Sequence, residues 1–268
     1  MPQVTVEHRG RVALVTISNP PDALMDRDTV PELSAAFTDL EGDESVAAIV
    51  LAGGVPGYFI RHYSVGELEG LSRTLRERSV TVDPANPLPP RDIDALFDRI
   101  GTLPKAVIAA INGSAMGGGF ELTLCCDIRV AEEGDYSLGL PEINVGILPG
   151  AGGTQRLPRL IGTARALEMM LRGRTVSPAE ALALGIVTEV APAGRCVERA
   201  LAIAAEIASK PPLAVAHIKK LARSAVSTPL EDGLALERTL FMDLLVSTSA
   251  LDLMTRMNTG TNDIRNVE

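Results

Sequence analysis

Two short runs that are apolar almost throughout constrain the fold of this chain more than any other feature. The first is Val46–Ala52 (VAAIVLA), which ends in two glycines, and the second is Lys105–Ile111 (KAVIAAI), which ends in Asn112-Gly113. A strand that is apolar on both faces needs a covering layer on each side, as parallel strands have in α/β proteins. The sequence therefore predicts buried parallel strands with helices packed against them, which is an α/β fold.

Periodicity and turn residues predict the other elements of this fold. They indicate an N-terminal hairpin of Val4–His8 and Arg11–Ile17, helices over 28–41 and near 91–101, a helix after the triple glycine near Glu121–Cys126, a helix after the capping box at Ser177, and strands at Ile128–Ala131 and Ile186–Val190. Beyond residue 195 helical periodicity dominates, over 195–208, 213–226 and 230–247.

We therefore predict a core over residues 1–194 and a C-terminal helical region over 195–268. The helical region has too little volume for a core of its own, so it should pack on the main domain or on a second subunit. The segment 69–93 is charged and then proline-rich, and we expect a mobile surface excursion there. Together with the loop before it, this segment makes a variable stretch over 59–93.

The acidic charge balance excludes several classes of partner. Lys and Arg number 25 against 34 Asp and Glu, and the resulting net charge of −9 disfavours binding to nucleic acid or to an anionic membrane. No run reaches the roughly 18 apolar residues of a membrane span, and the N-terminus lacks the apolar region of a signal peptide. The three cysteines, Cys125, Cys126 and Cys196, lack the spacing of a disulfide framework or a zinc site. We expect a cytoplasmic protein without a metal centre.

The segment Ile111–Leu122 (INGSAMGGGFEL) carries the strongest functional signal. Three consecutive glycines between a predicted strand and helix let the backbone approach a ligand closely, and free N–H groups at a helix start favour negative charge. Two phosphate-binding motifs do not fit, because the dinucleotide-binding pattern needs a glycine at Leu122 and the P-loop needs Lys-Ser/Thr at Gly119-Phe120. The other use of such a turn is an oxyanion hole, in which backbone N–H groups stabilise negative charge on a carbonyl oxygen.

Two glutamates stand at positions suited to proton transfer. Glu121 falls in the first turn of the helix after the triple glycine, and Glu142 follows Pro141 in an otherwise apolar loop. Desolvation in such a loop raises the pKa of a carboxyl group and makes it usable for proton transfer. Two carboxyl groups near one oxyanion hole suit proton chemistry next to a carbonyl. Glutamates at helix starts are also common surface groups, so the residues alone leave a structural role open.

Two sequence blocks together resemble the enoyl-CoA hydratase/isomerase (crotonase) superfamily. The first is INGSAMGGGFEL followed by CDIR at 126–129, and the second is PE at 141–142 followed by GILPGAGGTQRL at 146–157. The resemblance implies a crotonase-like spiral of ββα turns and a C-terminal helical region that forms trimers or dimers of trimers. It also implies an acyl-CoA thioester as the ligand, with no metal or redox cofactor.

The resemblance further implies roles for individual residues. Glu121 and Glu142 match the two catalytic glutamates of the family, and Gly118 matches one of the two backbone donors of its oxyanion hole. The second donor lies in a loop that in relatives reads Phe-x-Ala/Ser-Gly-Ala-Asp. In this chain residues 59–64 read FIRHYS, and alignment on the phenylalanine places the donor at Tyr63.

This loop departs from the family pattern. His62 and Ser64 stand where relatives have Gly and Asp, and Tyr63 is larger than the usual alanine. A backbone N–H does not depend on its side chain, so we expect the oxyanion hole to remain and the acyl pocket beside it to be reshaped. Two questions stay open: whether His62 contacts the substrate or only packs, and whether Tyr63 contacts the acyl group or only walls its pocket.

The predicted substrate-binding residues surround this hole. They include a segment that has the sequence Ala-Leu-Asn in relatives and Ala23-Leu24-Met25 in this chain. The resemblance implies that CoA lies along this segment. The full set is Ala23, Leu24, Ile60, His62, Ser64, Gly117, Pro141 and Gly150. An acidic Asp22 stands where a basic residue is common, which weakens the attraction for the phosphates of CoA.

Because both glutamates are present, the resemblance favours the syn addition of water to a 2-enoyl-CoA thioester, or the reverse dehydration. Within the same fold, the alternatives are a thioester hydrolase, an isomerase or a carbon–carbon bond-cleaving enzyme acting on an unusual substrate. A non-catalytic acyl-CoA-binding protein is a third hypothesis. The presence of both glutamates argues against it, since a scaffold that only binds acyl-CoA does not need paired acids there.

Overall fold

The structure is a computed structural model that describes residues 2–259 and 263–265; the parts of the predicted C-terminal region at 260–262 and 266–268 lie outside these residues. Its strands are β1 (Val4–Arg9), β2 (Val12–Ile17), β3 (Ala48–Gly53), β4 (Gly57–Ile60), β5 (Ala106–Ile111), β6 (Gly113–Met116), β7 (Ile128–Glu132), β8 (Leu138–Gly139), β9 (Thr175–Val176) and β10 (Glu189–Ala191). Its α-helices are α1 (Thr29–Gly42), α2 (Val65–Glu77), α3 (Asp92–Thr102), α4 (Gly118–Cys125), α5 (Gly153–Ile161), α6 (Thr163–Arg172), α7 (Pro178–Ala183), α8 (Cys196–Ala208), α9 (Pro212–Ser224), α10 (Leu230–Leu245) and α11 (Thr248–Thr259). A 3₁₀ turn covers Glu142–Val145.

The strands form two sheets that the chain visits alternately. The larger sheet has the order β1-β2-β3-β5-β7-β10, and the smaller sheet has the order β4-β6-β8-β9. β1 and β2 form the predicted antiparallel hairpin, and the larger sheet is parallel from β2 onward. The chain passes from the larger to the smaller sheet in three pairs, β3–β4, β5–β6 and β7–β8, each followed by helices. This is the spiral of ββα turns that the family resemblance implies.

The unbroken apolar runs occur because the larger sheet is covered on both faces. In β3, Ile49 and Leu51 belong to the main core, while Val50 and its neighbouring alanines belong to a second core on the opposite face. Helix α8 covers that second face with small residues spaced four apart, which are Cys196, Ala200, Ala204 and Ala208. The first helix of the predicted C-terminal region therefore packs on the main domain, while the boundary at residue 194 stays a prediction.

The segment predicted as a mobile surface excursion is helical over residues 69–77, and that helix was not predicted. Helix α2 begins after Ser64, whose Oγ accepts the backbone N–H of Glu67 at 3.3 Å. None of the described side chains of α2 is buried, which is why no apolar stripe indicated a helix. The surface position of 69–93 is confirmed, since these residues are mostly exposed.

Other boundaries also differ from the predictions. The strand predicted at Ile186–Val190 begins later, at β10, because the N–H of Ile186 donates to Ala181 O (2.8 Å) and closes the end of α7. Helix α4 begins earlier than predicted, at Gly118. The smaller sheet was not predicted, since its strands are only two to four residues long and show no periodicity. Among the described residues, no helix is long and apolar enough to cross a membrane.

A buried ionic cluster ties α9 to the larger sheet. The Asp127 carboxylate accepts the N–H of Val107 (2.8 Å) and lies 2.9 Å from Lys219 Nζ and 2.8 Å from Arg223 Nη2. The Lys219 side chain is only 8% exposed, and burial lowers its pKa. Breaking a buried ion pair on one side leaves an uncompensated charge, so the Lys219 ammonium depends on Asp127.

We expect Asp127→Asn to lower the free energy of unfolding by about 3 kcal/mol, because it leaves the Lys219 ammonium without its counter-charge. Denaturant titration at a fixed protein concentration measures the change. Glu198→Gln is the matched control: Glu198 and Arg195 form a surface pair, 63% and 62% exposed, and its loss should cost less than about 1 kcal/mol. A loss no larger than that of the control contradicts the anchoring role.

Candidate active site

Backbone packs directly on backbone where the triple glycine joins β6 to α4. Gly117 has φ +50° and ψ −130°, a conformation that residues with side chains rarely adopt. A Cβ atom on Gly119 would lie 2.4 Å from Ile60 O, so only glycine lets the end of β4 approach the helix start this closely. The glycines therefore bring the loop 59–64 against the first turn of α4.

The two predicted oxyanion donors are neighbours at this contact. A Cβ atom on Gly118 would lie 3.3 Å from Tyr63 Cβ and 3.7 Å from Tyr63 N. Met25 bonds to the residues on either side of Tyr63, donating to His62 O (2.9 Å) and accepting from the N–H of Ser64 (2.7 Å). In a parallel bridge of this kind the N–H of the central residue points away from its partner. Neither the Tyr63 N–H nor the Gly118 N–H donates to another described residue.

Glu121 is fixed beneath this turn by backbone donors. Its side chain is 3% exposed, and its Oε1 accepts the N–H groups of Ala151 (2.8 Å) and Gly153 (2.7 Å). Burial raises the pKa of Glu121, and these two hydrogen bonds oppose the rise. A Cβ atom on Gly153 would lie 2.9 Å from the same oxygen, so the glycine leaves room for the carboxylate.

Glu142 has the opposite environment. Its Oε2 is buried and has no hydrogen-bond partner among the described residues. Burial, with a smaller contribution from the nearby Glu121 charge, raises the pKa of Glu142 to about 7. Its Oε1 lies 3.2 Å from where a Cβ atom on Gly117 would stand, so this carboxyl borders the glycine turn. Glu142 can therefore exchange a proton near neutral pH.

These four groups converge on one small region. Tyr63 packs against Gly118 at the start of α4, the Glu142 carboxyl lies close to Gly117, and Glu121 follows Gly118 within the same helical turn. The charge of Glu121 contributes to the raised pKa of Glu142, after burial. Such an arrangement can bind a carbonyl oxygen and move protons beside it.

Four of the other predicted substrate-binding residues lie in the segments that meet Tyr63. Ala23 is buried and Leu24 half-buried, and the Ala23 C=O accepts the N–H of Arg61 (2.8 Å). Ile60 is 1% exposed and packs in the core against the glycine turn. The Nδ1 atom of His62 lies 2.7 Å from Tyr63 O, so one ring nitrogen is used within the loop. Contact of these residues with substrate stays a prediction.

The remaining four are Ser64, Gly117, Pro141 and Gly150. Ser64 caps α2 through its Oγ, and Gly117 forms the turn itself. Pro141 is half-buried and leads directly into the 3₁₀ turn that carries Glu142. Gly150 is exposed, and its C=O accepts a hydrogen bond from the Arg91 guanidinium. Substrate contact is a prediction for these residues as well.

Two supporting residues were missed by the sequence analysis. Arg156 donates to Ala151 O (2.9 Å) and pairs with Asp98 (2.8 Å), so it braces the turn whose N–H groups hold Glu121. Glu67 accepts the Tyr63 hydroxyl at 3.0 Å. Its spacing three residues after Ser64 is a capping-box signal that could have located the start of α2. No sequence signal indicated the contact of Arg156.

Comparison with known proteins agrees with this geometry. A family model described as enoyl-CoA hydratase/isomerase matches residues 7–254. A probable enoyl-CoA hydratase of Bacillus subtilis (strain 168) is 38% identical over 245 residues, which is 89% of this chain and 89% of that protein. A short-chain-enoyl-CoA hydratase of Clostridium acetobutylicum is 33% identical over 254 residues, 94% of this chain and 93% of that protein. The crystal structure of an enoyl-CoA hydratase from Bacillus anthracis matches with a TM-score of 0.86 at 32% identity, over 96% of each chain.

The raised pKa of Glu142 predicts a pH-dependent gain in stability for Glu142→Gln. Between the ordinary carboxyl pKa of 4.5 and the folded pKa of about 7, the folded protein binds more protons than the unfolded chain, so stability falls as pH rises. A glutamine side chain does not ionise, so the variant does not lose this stability as pH rises. We expect it to exceed wild type by up to about 3 kcal/mol at pH 8 and by less than about 1 kcal/mol at pH 5, measured by denaturant titration. An equal difference at both pH values contradicts the buried-acid assignment.

Proposed function

The chain belongs to the enoyl-CoA hydratase/isomerase family, and on that premise we propose that it catalyses the reversible syn addition of water to a 2-enoyl-CoA thioester. The observation that carries this proposal is a pair of buried or half-buried glutamates beside two unused backbone N–H groups. Glu121 also accepts two backbone N–H groups, so the fold itself uses that acid, but the buried Oε2 of Glu142 has no partner among the described residues. Proton transfer beside a polarised carbonyl accounts for the second acid.

The N–H groups of Tyr63 and Gly118 hold the thioester oxygen in this mechanism. When the water oxygen bonds to the β-carbon, the π electrons shift toward the carbonyl and negative charge develops on its oxygen. Donors that are already aimed at that position stabilise the charge without having to reorganise. The start of α4 adds a partial positive charge on the same side.

The two glutamates divide the proton transfers. Glu121, held by two backbone donors, orients the attacking water and accepts its proton. Glu142, whose pKa is about 7, donates a proton to the α-carbon and so completes the addition. The pair therefore works with one proton between two carboxyl groups, and exchange of that proton between them restores the starting state. This proton chemistry uses no metal or redox cofactor.

We also propose that the chain assembles as a homotrimer or a dimer of trimers through its last helices. Large apolar side chains are exposed there, including Leu230 (77%), Phe241 (59%) and Val246 (79%). Exposed apolar surface of this kind is typical of protein–protein contacts. Sedimentation equilibrium tests the assembly, and a mass equal to one 28.3 kDa chain contradicts it. We propose a cytoplasmic location, which the three buried free cysteines support.

Substitution of either acid tests the mechanism. We expect Glu121→Gln and Glu142→Gln each to lower kcat about 10²- to 10⁴-fold, because each removes one proton transfer. Loss of the ultraviolet absorbance of the conjugated enoyl thioester measures the reaction, over a panel of acyl chains. Glu133→Gln, the same change at an exposed position, is the control and should be as active as wild type.

Three results would contradict this function. Full activity in either glutamine variant removes the paired-acid mechanism. Release of free CoA thiol by the wild-type chain, in proportion to the thioester consumed, identifies a thioester hydrolase, and binding without turnover across the panel identifies a non-catalytic acyl-CoA-binding protein.

A further inference from the structure

We propose that Glu67 is a positioning residue for the oxyanion hole, acting through the side chain of Tyr63. The inference rests on the proposed function, because it concerns the backbone donor at Tyr63. It differs from that function in assigning a role to a carboxylate outside the reacting pair. The carboxylate belongs to α2, the helix that follows the altered loop 59–64.

The Glu67 carboxylate joins three parts of the chain. Its Oε2 accepts the Tyr63 hydroxyl (3.0 Å) and the backbone N–H of Arg27 (3.1 Å), and its Oε1 accepts Arg27 Nε (2.9 Å). Its own backbone N–H donates to Ser64 Oγ at the start of α2. Glu67 therefore connects three parts of the chain, which are the loop that carries Tyr63, the start of helix α2 and the backbone at Arg27.

These bonds complete the fixation of Tyr63. Met25 holds the peptide groups on both sides of Tyr63, which sets the direction of its N–H. The side chain is half-buried and packs against the main core, and its Cβ lies 3.3 Å from where a Cβ on Gly118 would stand. The hydroxyl bond to Glu67 fixes the far end of the same side chain. Rotation of the residue would therefore have to break contacts at both ends.

The chemistry of the pair favours positioning over proton transfer. Burial and the Glu67 carboxylate raise the pKa of Tyr63 to about 12, so the hydroxyl stays protonated at neutral pH and donates to Glu67. The Arg27 side chain is 78% exposed, and an ion pair so exposed contributes little by itself. The half-buried hydroxyl bond and the backbone N–H of Arg27 are therefore the contacts that hold the loop.

Tyr63→Phe and Glu67→Ala test the proposal as single and double variants. We expect each to lower kcat for hydration about tenfold with KM changed less than about twofold, since a misaligned donor weakens transition-state binding more than substrate binding. The double variant should be no slower than the singles, because both remove the same bond. Glu67→Gln should recover part of the loss of Glu67→Ala, since its amide oxygen can still accept the Tyr63 hydroxyl.

Matched controls carry the same chemical changes nearby. Tyr58→Phe alters a tyrosine of β4, and Glu69→Gln alters a glutamate that pairs with Arg73 on the exposed side of α2. Both should keep wild-type kcat and KM. Equal melting temperatures for all variants show that any loss of activity is not a loss of fold.

A bound chromophore separates this proposal from the proposed function. Hydrogen bonds to the carbonyl of a 3-aryl-2-enoyl-CoA shift its absorbance to longer wavelength, so the shift reports the oxyanion hole without turnover. We expect the wild-type chain to shift the absorbance of the probe. The variants Tyr63→Phe and Glu67→Ala should each give a smaller shift.

If the wild-type chain shifts the probe but hydrates no thioester, and the variants shift it less, the proposed function fails and the positioning role stands. Variants with wild-type shift and kcat overturn the role, and a wild-type chain that leaves the bound probe unshifted overturns both proposals.

Discussion

The contact between the loop 59–64 and the glycine turn at 117–119 is the constraint on which the rest of the site depends. At Gly119 the two backbones lie too close for any Cβ atom. This approach places the N–H of Tyr63 beside the N–H of Gly118, and the adjoining turn at Gly117 leaves space for the Glu142 carboxyl. A backbone N–H does not depend on its side chain, so the bulky FIRHYS sequence is compatible with the proposed oxyanion hole.

Glu121 and Glu142 differ in how the protein compensates the charge of each carboxyl group. Glu121 is the more buried, yet two backbone donors compensate its charge, while the buried Oε2 of Glu142 has no donor among the described residues. Carboxyl groups whose surroundings differ in this way take different roles in proton transfer.

The elements that carry a strong local signal could be predicted from the sequence. The alternation of Ile49 and Val50 between two cores explains the unbroken apolar run, and the glycines and glutamates were visible as motifs. The smaller sheet could not be predicted from the sequence because β8 and β9 have two residues each. Helix α2 was not predicted because it buries none of its described side chains. The bond of Glu67 to Arg27 joins residues 40 positions apart in the chain, which only the tertiary fold brings together, so no local pattern could reveal it.

The central claim is that two carboxyl groups share one proton beside a pair of backbone donors, and the pH profile of kcat/KM tests it most directly. This quantity reports the free enzyme, so it should fall above an apparent pKa near 7, where the pair loses its last proton, and again at low pH, where both acids are protonated. Hydration takes up no net proton, so dehydration should show the same profile, and Glu142→Gln should lose the limb near 7. A wild-type profile that is flat from about pH 6 to about pH 8.5 would show that no such shared proton takes part in catalysis.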